Sequence, residues 1–111
     1  MNKAFYYLRD RKNRPIVTVC LYSTSCDYAR GIAICSERDE PNKKIGRAIS
    51  QGRAFKALEL NETSDPIVRD RAIGQLFSAT AFPVYPPFKS EVNPVLSNFE
   101  KKILDKHREI K

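Results

Sequence analysis

Residues 28–35 read Tyr-Ala-Arg-Gly-Ile-Ala-Ile-Cys, and the alternation in that stretch decides the fold. As a strand it turns Tyr28, Arg30, Ile32 and Ile34 to one side and Ala29, Gly31, Ala33 and Cys35 to the other. The second side carries only small side chains, so a helix can approach the backbone closely. A helix starting near Asn42 has the matching surface: Gly46, Ser50, Ala54 and Ala57, spaced by three and four residues. Its other apolar arc holds Ile45, Ala48, Ile49, Gly52 and Phe55, with Lys43, Arg47 and Arg53 beside the two arcs.

Upstream, residues 3–8 alternate and are aromatic, and residues 15–22 (PIVTVCLY) are rich in β-branched side chains. The connectors at 10–13 and 23–27 have turn chemistry and hairpin lengths, which predicts an antiparallel meander in need of a covering layer. Downstream, Asp65 before Pro66 predicts a helix to about Ala79, and Asn93-Pro94 repeats the signal for a last helix to about Glu109. That last helix would carry Leu96, Phe99, Ile103 and Ile110 near one face. Residues 80–93 (TAFPVYPPFKSEVN) predict a long connection without regular structure, whose prolines favour polyproline II and set Phe82, Tyr85 and Phe88 along one side. The expected fold is α+β, a small antiparallel β-meander at the N-terminus packed against three C-terminal helices, in a single domain over residues 1–111.

Charge is concentrated. Residues 41–58 hold Lys43, Lys44, Arg47, Arg53 and Lys56 with no acidic residue, which is +5 of the net +7. A local positive feature of this kind suits an anion, and phosphate is the obvious one. Cys20, Cys26 and Cys35 follow neither a disulfide framework nor a metal-knuckle spacing, and the single histidine, His107, suits the end of a helix. No phosphate loop, nucleophile elbow, paired-carboxylate motif or metal cluster is present, so a binding protein without cofactor is expected rather than an enzyme. No apolar run approaches the roughly 20 residues that span a bilayer, and the opening residues lack a signal peptide's apolar centre; a cytoplasmic protein is expected.

Two features carry alternative readings. The basic helix is either a solvated face or a phosphate-binding one, where Arg47 and Arg53, each following a glycine, would hold phosphate through planar guanidinium groups. Phe82, Tyr85 and Phe88 are either a lid on the core or a surface for stacking a nucleobase beside Lys89 and Asn93. Tyr6, Tyr7, Tyr22 and Tyr28 are aromatics of the kind that self-association surfaces use, which adds an expectation of a homo-oligomer.

Through residues 30–35 (RGIAIC), 42–49 (NKKIGRAI) and 52–54 (GRA), the chain resembles a family of small proteins from phages and prophages of Gram-positive bacteria. The likeness runs from residues 7–10 (YLRD) to the last helix, and the group resembles the first Thoeris anti-defence family. The resemblance implies a non-catalytic sponge that sequesters a cyclic ADP-ribose-type or cyclic oligonucleotide immune signal in pockets between subunits of a homo-oligomer, a hexamer among the expected forms. It implies ligand contacts from Phe82, Asn93, Arg53 and Arg108, assisted by Arg47 or Lys102, and the stacking reading of the aromatic stripe adds Tyr85 as a ligand-binding candidate. The alternatives are a phage nucleic-acid-binding or host-takeover protein using the basic helix on a phosphate backbone, and an inhibitor of a host enzyme.

Overall fold

The computed structural model describes residues 2–24, 27–35, 42–61, 63, 67, 72, 74–75, 92–94, 96 and 98–109, with 92 and 106–109 described by backbone alone. Four strands form one sheet in sequence order: β1 (Asn2–Arg9), β2 (Pro15–Ser23), β3 (Tyr28–Ile34) and β4 (Val92–Asn93). Every neighbouring pair is antiparallel, so the expected meander is present and the fold is α+β.

Local chemistry shapes the two hairpins. The Asp10 carboxylate accepts from the Lys12 and Arg14 amides, each at 3.0 Å, and pairs with the Arg14 guanidinium. Asn13 takes the left-handed conformation (φ 63°), which asparagine tolerates better than most residues. At the second turn Thr24 Oγ1 accepts from the Asp27 amide.

α1 (Lys43–Leu60) lies on the small-residue side of β3 as the alternation requires. Asn42 caps it by accepting from the Ile45 amide, and Asn61 ends it in the left-handed region while its N–H closes on the Ala57 carbonyl. Ser50, Ala54 and Ala57 are fully buried in the contact. The approach is close enough that a Cβ on Gly31 would overlap the Ala54 amide and the Ser50 carbonyl, and one on Gly46 would overlap the Thr18 hydroxyl. Gly52, in contrast, faces open space. The second apolar arc stays outside the core: Ile45, Ile49 and Phe55 are among the exposed large side chains, with Phe55 edge-on to Tyr22 at 6.4 Å between ring centres.

α2 (Asn98–Glu109) covers the opposite face, so the sheet is sandwiched between two helices. Two helices rather than three are found among the described residues; of the helix expected over 66–79, only Ala72, Gly74 and Gln75 are described as helical, and most of it lies outside them. The last helix opens at Asn98 and not at Asn93-Pro94. Asn93 instead pairs with Arg30, and Val92 with Gly31, because the outer edge of β3 offers backbone groups that a short strand satisfies.

The inward face of α2 is also rotated from the expected one. Leu96 is buried and Ile103 partly so, but Phe99 is exposed and stacks edge-on against Tyr6, at 5.8 Å between ring centres. The deepest positions are Glu100 and Leu104, each 1 % exposed and one turn apart. Leu104 joins Ala4, Leu8, Val17, Val19, Leu21 and Ile32 in the larger core. Glu100 is inside because Arg30 is: their side chains pair at 2.5 Å, and the Tyr6 hydroxyl donates to the other carboxylate oxygen at 2.8 Å.

Candidate functional site

The positive side chains of α1 divide between two flanks. Arg53, half-buried, reaches toward β3 and donates through Nη1 to the Ile32 carbonyl at 2.7 Å. One of its donors therefore holds helix to sheet. Arg47 is exposed and leans to the other side, where its Nη1 donates to the Tyr7 hydroxyl at 3.2 Å. The two Gly-Arg-Ala triplets thus serve different edges of the sheet, as a six-residue separation on a helix requires.

Tyr7 collects more than Arg47. Lys43 Nζ stands 5.0 Å from the centre of its ring and Arg9 Cζ 5.9 Å from it, both in cation–π range. Tyr7 lies on β1, the edge strand of the sheet, and alternation puts Lys3, Phe5, Tyr7 and Arg9 on the α1 side of that strand. Lys3 Nζ in turn stands 5.7 Å from the Phe5 ring. Four cations and two aromatics therefore line the seam between β1 and α1. Among the described residues none of these cations makes an ion pair, and Asp10, next in the chain to Arg9, is engaged by Arg14. Hydrogen bonds from the Arg14 backbone, first, and then from its side chain hold the Asp10 carboxyl below its ordinary range.

The far flank of α1 borders a cleft of about 500 Å³ between the helix start and the ends of β2 and β3. Ile16, Ala33, Ile34, Ile45 and Ile49 make its apolar wall, and Thr18 and Asn42 supply the polar groups. Gly46 sits on Thr18 between this cleft and the Tyr7 seam.

Among the described residues, the expected site residues are not gathered in one place. Arg47 belongs to the β1 flank. Arg53 and Asn93 both meet β3, at Ile32 and Arg30 respectively. Lys102 is exposed on α2, across the sheet from α1, so one chain does not bring it to Arg47 or Arg53. The backbone of Arg108 continues α2, and its side chain lies outside the described residues, as do Phe82, Tyr85, Phe88 and Lys89 entirely. The aromatic residues expected on the surface also separate. Tyr22 is buried, where burial, first, and then Cys20 push its phenol up. Tyr6 is pinned to Glu100, and burial with the adjacent carboxylate pushes its phenol far up. Tyr7 is half-buried, and Tyr28 stays exposed under Lys101 Nζ at 5.0 Å.

Tyr7 and Arg9 were not among the expected contacts. Their signal is present in the cation–aromatic–aromatic–cation alternation of β1, but it points to a site only once α1 is laid beside it. Among the described residues no group of histidine, cysteine and carboxylate side chains could hold a metal ion, and no helix is long and apolar enough to cross a membrane. Cys20 is buried, and that burial pushes its thiol up to about 12, away from nucleophilic chemistry. No family model, curated protein or solved structure matches the chain.

Proposed function

We propose that this protein binds a phosphate-bearing nucleotide without transforming it, and so withholds a cyclic ADP-ribose-type or cyclic oligonucleotide immune signal, as the phage family it resembles would. The observation that carries the reading is the surface of α1, where Lys43, Lys44, Arg47 and Lys56 are exposed and no acidic residue comes before Glu59 in the last turn. A first turn of helix usually favours carboxylates; here it carries two lysines and adds the helix's own partial positive charge to theirs. Such a surface lowers the free energy of an anion with several charges more than that of a neutral solute. A self-associated form supplies the remaining contacts, since Lys102 and Arg47 of different copies can face one ligand where those of one copy do not.

The test is native mass spectrometry of the purified protein with its small molecules retained, followed by calorimetric titration with cyclic ADP-ribose. The expected result is an oligomer carrying a nucleotide mass that is recovered chemically unchanged. A monomer that retains no nucleotide and shows no heat with any phosphate compound would sink the reading.

The alternation of cations and aromatics along β1 favours a second reading, a single-stranded nucleic acid stacked on Phe5 and Tyr7. That interaction would weaken by orders of magnitude over a few-fold rise in salt. Sequestration of a small nucleotide would survive physiological salt with no gel shift of oligonucleotides.

A further inference from the structure

We infer that Tyr7, Arg9, Lys43 and Arg47 form a phosphate subsite at the seam between the edge strand and α1. The inference rests on the nucleotide-binding reading above and locates the phosphate end of the ligand away from Arg53 and Asn93.

Three positive side chains drawn from two elements meet on one phenol. Arg47 comes from the second turn of α1, Lys43 from its first residue, and Arg9 from the end of β1. Bringing like charges together costs free energy, and the face of one ring offsets only part of it. Among the described residues the carboxylate next in the chain to Arg9 is directed elsewhere: Asp10 binds Arg14 and the turn amides. Arg9 Nη1 donates to the Asn13 carbonyl at 3.1 Å, which orients the group without neutralising it. The cluster is therefore a held set of cations lacking an anion among the described residues.

The donor geometry selects phosphate over a carboxylate. Arg47 offers a planar fork, Lys43 a point charge with three hydrogens, and the Tyr7 hydroxyl accepts from Arg47 and keeps its own hydrogen for an outside acceptor. Donors from three side chains suit the three terminal oxygens of a phosphoryl group better than the two of a carboxylate. The N-terminus of α1, capped by Asn42 but free of acidic residues in its first turn, adds potential of the same sign at Lys43.

Calorimetric titrations of the full chain with inorganic pyrophosphate, ADP-ribose and adenosine test this. Pyrophosphate and ADP-ribose should bind, and adenosine should not. Lys43→Ala and Arg47→Ala should each weaken both phosphate compounds at least about tenfold, the usual consequence of losing one hydrogen bond to a charged group. Arg47→Lys should recover part of that loss, and Lys12→Ala, which removes an equal charge from the β1–β2 turn, should change affinity less than twofold. Unchanged melting temperatures establish that the variants are folded. If ADP-ribose binds wild type and both alanine variants equally, the subsite is overturned while nucleotide binding stands. If no phosphate compound binds wild type, both fall. A single-stranded oligonucleotide binding far tighter than pyrophosphate, with steep salt dependence, would assign the seam to nucleic acid and overturn the subsite.

Discussion

Arg30 on β3 and Glu100 on α2, separated by 70 residues in the sequence, form a buried ion pair at 2.5 Å with the Tyr6 hydroxyl as a third member. It joins α2 to the middle of an otherwise apolar sheet face. Removing one partner strands the other charge, so Glu100→Ala should destabilise the protein by about 3–5 kcal/mol. Tyr6→Phe should cost about 1.5–3 kcal/mol, the worth of a hydrogen bond to a charged group. The double change Arg30→Met with Glu100→Leu should recover most of the loss, because burial of both charges is itself costly. Urea unfolding of the three variants measures this; a double variant as unstable as Glu100→Ala would show that the pair contributes net stability.

The glycines of β3 and α1 should respond with opposite signs. Gly31→Ala drives a methyl into the backbone of α1 at Ala54 and Ser50, so the helix must shift, at about 1–3 kcal/mol or more. Gly52→Ala meets nothing and replaces a glycine inside an exposed helical turn, so it should stabilise by about 1 kcal/mol. Gly46→Ala presses on the Thr18 side chain, which can rotate, and should fall between them. Thermal melts of the three variants rank them; a destabilising Gly52→Ala would mean that the site is covered in solution, as by a second copy of the chain.

Arg53→Ala should lower stability as well as any nucleotide affinity. Its hydrogen bond to the Ile32 carbonyl ties α1 to β3, and losing it should cost about 1–2 kcal/mol. Arg47, exposed and bonded to the hydroxyl of half-buried Tyr7, should show almost no stability loss on the same substitution. Comparing the melting temperatures of the two variants separates a structural arginine from a ligand-facing one, and equal losses would argue against this division.

Stability should decline on the alkaline side. The Cys20 thiol is raised by burial from an ordinary value near 9 to about 12, and the Tyr6 phenol is raised from 10. The unfolded chain therefore releases these protons first. The stability they contribute is fully present below about pH 9 and is lost as pH rises toward the folded values. Chemical denaturation at pH 7, 9 and 10.5 reads this directly, and Cys20→Ala should flatten the dependence. A midpoint unchanged over that range would mean that Cys20 and Tyr6 ionise as freely in the folded chain as in the unfolded one.

Much of the architecture is determined by the sequence alone, because the signals are local. Alternation in residues 28–35 separates a small face from a large one, and the spacing of Gly46, Ser50, Ala54 and Ala57 supplies a surface that can rest on the small face. Turn chemistry at Asp10 and Asn13 sets the first hairpin. What the tertiary structure alone decided are the places where distant residues meet. Glu100 reads as a solvent-facing helix residue until Arg30 is opposite it, and only then does the inward face of α2 become Glu100 and Leu104 rather than Phe99. Asn93 reads as a helix cap, yet the open edge of β3 draws it into a strand. Arg47 and Tyr7, 40 residues apart, carry no mutual signal in sequence; their meeting depends on which flank of α1 faces β1, which follows from the packing of the buried stripe and not from the charged residues themselves.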